Sequence, residues 1–248
     1  MKLQPSLFLF TISSITILSC SPPKKSGYEI DCEYQKRQAQ NDFRYQNYTW
    51  TIFSGLGYDF LGEEEFKKLL TQHRIKNKTI HTTCISSPTE KYENCGEIEM
   101  NKLIGGKFGQ HFIDSLRNIA KKEFVKNHPE EVFSFEQCDQ VSRYPSSNFD
   151  NQADKIEKDY FFKYPIPKEY IIKNEESYSY TSADFILTKS GEIKDLTIES
   201  SFQNKKNNIF EKQFNKQLKD FVLQTQWIPA QINGVNVDSY YGVTIHYD

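Results

Sequence analysis

Gln226-Trp227-Ile228-Pro229-Ala230, continued by Asn233-Gly234 and the run Val235 to Tyr247, decides how the last third of the chain folds. Val235, Val237, Tyr241, Val243, Ile245 and Tyr247 share one parity, and Asn236, Asp238, Tyr240, Thr244 and His246 share the other. A period of two predicts a strand with one apolar and one polar face. Pro229 ends whatever precedes it, because it lacks an N–H and disfavours helix at Ile228. Asn233-Gly234 supplies the turn into the strand.

Upstream, Phe210, Phe214, Leu218, Phe221 and Val222 recur at helical spacing, with Lys212, Asn215, Lys216 and Lys219 on the other side. Asn208 with Glu211 three residues later reads as a capping box for this helix. Trp227 lies just past its end and is expected to fold back onto the sheet as core. Before the helix, Ala183, Phe185 and Leu187 alternate with Asp184, Ile186 and Thr188, Ser190-Gly191 turns the chain, and Ile193, Leu196 and Ile198 follow. The order strand, turn, strand, helix, long strand predicts an α+β fold, with a helix on one face of an antiparallel sheet.

The pattern from Phe185 to Ile198, with Gly191 and Leu196 inside it, the helix, Trp227-Ile-Pro229-Ala230, Gly234 and the terminal strand resembles the C-terminal domain of TonB-type proteins. Tyr164-Pro165 sits where that family often carries a Tyr-Pro. The resemblance covers about a third of the chain. It implies a two-layer α+β domain that pairs a strand with a peptide of an outer-membrane receptor by β-augmentation. The chain departs from TonB itself in having no N-terminal membrane helix and no long Pro-rich spacer, with nine prolines in all. On this resemblance the partner-binding strand candidates are Asp238, Tyr240, Thr244 and His246, and the partner is an envelope protein or peptide.

The other end reads as a targeting segment. Lys2 gives a positive start, Leu7 to Leu18 is apolar and too short to span a bilayer comfortably, and Leu18-Ser19-Cys20 resembles a bacterial lipobox. Residues 1–19 are then a signal peptide, and Cys20 is the lipid attachment point that ties the chain to a membrane. The alternative is an ordinary secretory signal with Cys20 as a disulfide partner. Residues 20–27 form a tether whose last seven residues reach only about 20–25 Å. No acidic run follows Cys20, which favours an outer-membrane anchor facing the periplasm.

Setting Cys20 aside, the five cysteines reduce to Cys32, Cys84, Cys95 and Cys138. An even number in an exported chain predicts two disulfides in one of three connectivities, of which Cys84–Cys95 as a short loop with Cys32–Cys138 clasping the N-terminal region is favoured. No Cys-x-x-Cys spacing exists, so no metal or other cofactor is expected. A net charge of −2 gives no electrostatic case for nucleic acid.

Residues 28–145 read as an N-terminal, mostly helical region with a few strands. Glu29 to Phe43 and Leu61 to His73 are expected helices, and Tyr48 to Phe53 and Thr79 to Ser86 expected strands. Glu97 to Lys126 is a further helix, with a break or kink expected at Gly105-Gly106. Residues 146–162 read as a linker with a connecting helix, and residues 163–248 as the TonB-like domain. Gly105-Gly-Lys-Phe-Gly109 lacks the residue order of a phosphate loop. No nucleophile elbow or Ser-His-Asp signature is visible, so the chain is expected to be no enzyme. A catalytic cysteine in the N-terminal region, or a purely structural envelope role, are the other readings.

Overall fold

The computed structural model describes residues 26–55, 60–81, 93–172 and 179–247; Cys20 and Cys84 lie outside them. Among the described residues no helix is long and apolar enough to cross a membrane. The fold is α+β, with a helix-rich N-terminal half and a mostly antiparallel C-terminal sheet carrying helices on one face.

Helix α1 (Gly27–Arg44) starts at a capping box in which Ser26 Oγ accepts from the Glu29 N–H and the Glu29 carboxylate accepts from the Ser26 N–H. It runs beside α3 (Cys95–Phe108), and the two pack closely at Gly96, where a Cβ would lie 3.3 Å from the Gln35 carbonyl oxygen. This contact sets the disulfide. Cys32 bonds Cys95 across a Cα–Cα distance of 5.3 Å, and Cys138 is a free thiol. The expected pairs Cys84–Cys95 and Cys32–Cys138 are therefore corrected: α1 brings Cys32 to the first residue of α3, while Cys138 sits beside a different core.

Strand β1 (Thr49–Ser54) pairs in parallel with β2 (Lys76–His81), and α2 (Glu63–Gln72) forms the crossover such a pair requires. On the side of β1 away from β2, the Asn101 side chain accepts from the Thr51 N–H and donates to the Thr51 carbonyl, standing in for a strand partner. The part of the second expected strand beyond His81 lies outside the described residues. The helical break falls at Gly109, not at Gly105-Gly106. Gly109 takes φ +89° and separates α3 from α4 (Gln110–Asn127), a conformation that costs glycine least. Trp50, Ile52, Phe66, Leu70, Ile75, Ile104, Ile113, Leu116 and Ala120 form the N-terminal core. Gly62 (φ +83°) lets α2 meet α4, since a Cβ there would lie 2.8 Å from the Ala120 carbonyl oxygen.

The C-terminal sheet has the order β3-β7-β4-β5. Strands β4 (Tyr180–Leu187) and β5 (Ile193–Ser201) form a hairpin, and β7 (Val235–His246) pairs antiparallel with β4 along most of its length. β6 (Ala230–Ile232) turns into β7 through Asn233 (φ 49°) and Gly234 (φ 76°), the positive values of a tight hairpin. Ile193 and Leu196 both pack toward the core although three residues apart, because a bulge at Asp195 (φ 50°) inserts one residue into β5. Helix α6 (Glu211–Gln224) covers this face. Asn208 does not cap it: a 3-10 turn over Lys205–Phe210 runs directly into α6, and Asn204 caps that turn instead. Trp227 is buried as expected, its indole N–H donating to the Val222 carbonyl at 2.9 Å.

Residues at the end of the expected N-terminal region pair with this sheet. β3 (Val132–Phe133) pairs in parallel with Asp238 and Ser239 of β7, and Gln140 and Arg143 bridge to Gln231 and Ile228. Helix α5 (Gln152–Lys163), within the expected linker, buries Ile156 and Tyr160 in the same core as α6. A third cluster, Val125, Phe133, Ala230, Ile232 and Val237, joins α4 to the β6–β7 hairpin.

The disulfide closes a loop of sequence separation 63. Reducing it, or making Cys32→Ala, is expected to lower unfolding free energy by about 2–5 kcal/mol in chemical denaturation. Glu63 supplies a pH signature. Burial raises its carboxyl, but hydrogen bonds from Lys67 and Thr79 outweigh this and hold it below its ordinary 4.5. A carboxyl held low in the folded state stabilises fully above its unfolded value and loses that contribution as pH falls through the folded one. Thermal melts from roughly pH 3 to 7 should show a shallower acid limb for Glu63→Gln than for the unmodified chain.

Candidate functional site

The site is built on β7, whose backbone directions follow from two bonds at its end. The Tyr247 N–H donates to the Ser179 carbonyl on the β4 side, whereas the His246 N–H points the other way, to Glu157 Oε1. By the alternation of a strand, Tyr240, Gly242 and Thr244 also turn their N–H and C=O groups away from β4. β3 occupies that outer edge only as far as Ser239. Among the described residues no strand pairs with it from Tyr240 to Thr244.

A cavity of about 220 Å³ opens along this stretch, walled by Phe135, Val141, Phe149, Tyr240, Tyr241 and Gly242. Phe135, Phe149 and Tyr240 are 62%, 73% and 60% exposed, three large rings kept in water around one edge. Its floor is fixed by a hydrogen bond between the buried hydroxyls of Ser142 and Ser239 (2.8 Å). The Tyr241 hydroxyl donates to Gln152 Oε1, pinning the start of α5 beside it. Burial pushes the Tyr241 phenol up to about 12, so it stays a neutral donor. Gly242 leaves the edge bare, and a Cβ there would meet the Asp184 carboxylate at 2.8 Å. Glycine inside a strand commonly marks such a close approach.

The four strand candidates share the polar face but not one role. Tyr240 and Thr244 are exposed. Asp238 is engaged with the β4–β5 turn, its carboxylate accepting from the Lys189 N–H at 2.8 Å. His246 is half-buried, with Nδ1 3.2 Å from Glu157 Oε1. Cys138 reaches the same cavity wall, and burial, with Asp139 beside it, pushes its thiol up to about 11. Phe135, Phe149, Gln152 and Gly242 were not among the sequence candidates. Gly242 carried a signal, as a glycine inside an alternating run.

A larger cavity of about 410 Å³ lies between the end of α4 and the β6–β7 hairpin, with Lys122, Lys126 and Lys189 around Val125, Phe133 and Val237. Two of these lysines lie near the C-terminus of α4, where the helix dipole favours cations without any ligand. Among the described residues no group of three or more His, Cys, Asp or Glu side chains could hold a metal ion. Comparisons with protein-family models, curated proteins and solved structures find no match to this chain.

A thiol raised from 9.0 to about 11 exposes about a hundredfold less thiolate at pH 8. Iodoacetamide labelling of the native protein, read by peptide mass mapping, should leave Cys138 largely unmodified at pH 8 and label it readily after unfolding.

Proposed function

We propose that this protein is a lipid-anchored interaction module of the bacterial cell envelope, whose C-terminal sheet takes a short extended segment of a partner protein along the outer edge of β7. The observation that carries the reading is the unpaired edge from Tyr240 to Thr244 beside a cavity ringed by exposed aromatic side chains. Main-chain hydrogen bonds would supply affinity, and the Phe135, Phe149 and Tyr240 rings would select apolar side chains of the incoming segment.

The other edge of the sheet is a poorer candidate. β5 carries a bulge at Asp195 and charged side chains at Lys194 and Glu199, devices that discourage strand addition. The strand-strand-helix-strand order and the buried Trp227 support the resemblance to TonB C-terminal domains, and through it an accessory role in receptor-linked transport. The anchor rests on Leu18-Ser19-Cys20. The reading assigns no catalytic step.

Thr244→Pro is the discriminating variant, because the Thr244 N–H points away from β4. Its loss removes an outward donor and spares the β4 ladder, and proline is tolerated on such edges. A photo-crosslinking amino acid at Phe149, used in intact envelopes, should capture a defined partner. That capture should fall at least about tenfold with Thr244→Pro while the melting temperature stays within a few degrees. Equal capture by the variant, or equal capture from a crosslinker at the exposed Phe162 near the other end of α5, would sink the proposal.

A further inference from the structure

The N-terminal helix offers a second surface. The capping box fixes the start of α1 at Ser26, six residues after Cys20. Such a tether spans at most about 20 Å, so a lipid on Cys20 would hold the helix start within that distance of the bilayer. The first buried residue of α1 is Cys32, bonded to the first residue of α3.

Cys32 and Ala39 are the buried positions of α1. By helical periodicity Ile30, Tyr34, Arg37, Asn41 and the C-cap Tyr45 lie away from these two, spaced four, three, four and four residues apart and all exposed, with Tyr34 also at the rim of a cavity it shares with Gly96 and Glu97 of α3. Ile30, Tyr34 and Tyr45 are 56%, 55% and 81% exposed. Single exposed apolar residues need no explanation. Here two tyrosines, an isoleucine and an arginine fall on one helical face, and that face begins where the tether ends. Tyrosine and arginine place an apolar body at the acyl boundary and a polar tip among headgroups. Lys24-Lys25 in the tether adds positive charge beside it.

We infer that this outer face of α1 rests in the headgroup layer of the membrane that holds the Cys20 lipid, so the protein is carried in a fixed orientation. The inference depends on the lipid-anchored reading above. The tether keeps the face at the surface, so even weak partitioning is realised as an effectively intramolecular contact.

The test uses the mature full chain isolated with its native modification. Peptide mass analysis first reports whether Cys20 carries acyl chains. The chain is then placed on vesicles of phosphatidylethanolamine and phosphatidylglycerol, and side-chain accessibility is read by hydroxyl-radical footprinting against the soluble Cys20→Ser chain. Oxidation of Tyr34 and Tyr45 should fall at least about fivefold on vesicles, while Phe162 changes less than about twofold. The double variant Ile30→Asp, Tyr34→Asp alters only exposed positions, and it should restore oxidation of Tyr45 on vesicles. An unmodified Cys20 overturns the anchored reading and this inference together. An acylated Cys20 with Tyr34 and Tyr45 oxidised equally with and without vesicles overturns the inference alone. Uniform protection that includes Phe162 overturns it as well.

Discussion

Pairing on both edges of β7 is the constraint from which the rest of the structure follows. Buried backbone donors and acceptors must be satisfied, and β7 does this with β4 on one side and β3 on the other, while β6 pairs with its first residues. β3 arrives in parallel, which a hairpin cannot deliver; the chain reaches it from α4. The N-terminal half is thereby fastened to the sheet. Val125 of α4 packs with Phe133, Ala230, Ile232 and Val237. The Asn233 side chain donates to the Asn118 carbonyl of α4, and the Asn233 N–H donates to Asp139.

Trp227 settles how the chain reaches β7. Its ring lies 5.5 Å from Tyr144, 5.7 Å from Phe185 and 5.3 Å from Tyr241. Its N–H takes the Val222 carbonyl, in the last turn of α6, which also accepts from the Thr225 N–H. One such bond is worth about 1 kcal/mol, while truncating a buried Trp costs about 3–5 kcal/mol. Packing therefore supplies the stability, and the hydrogen bond sets the direction of the ring. α6 has already ended at Gln224, with Thr225 extended, and Pro229 leads directly into β6.

Local signals made most of this readable in sequence. The alternation of β7, the helical spacing of Phe214 to Val222, Asn233-Gly234 and the burial of Trp227 each depend on a few adjacent residues. Non-local features were not readable. Cys32 meets Cys95 because α1 and α3 pack together, and nothing in cysteine spacing encodes that. β3 is only two residues long and lies in a stretch rich in turn residues. The cavity draws Phe135, Phe149 and Gly242 from three separate segments, so no short motif announces it. Asn208 failed as a cap because the chain enters α6 already wound as a 3-10 turn.

The two edges of the sheet are treated differently, and the difference limits what could add to it. Natural sheets guard open edges with bulges, charges and short strands. β5 has the bulge and the charges. β7 has neither between Tyr240 and Thr244, yet it is stopped at both ends. β3 occupies the edge up to Ser239, and the Glu157 carboxylate takes the outward N–H of His246. What remains has room for a few alternating main-chain bonds. An edge of that length admits a short extended segment and blocks the sheet-to-sheet growth that a longer bare edge would invite. The same closure explains how exposed Phe135 and Phe149 are tolerated, since the rings flank a gap too short to template a second sheet.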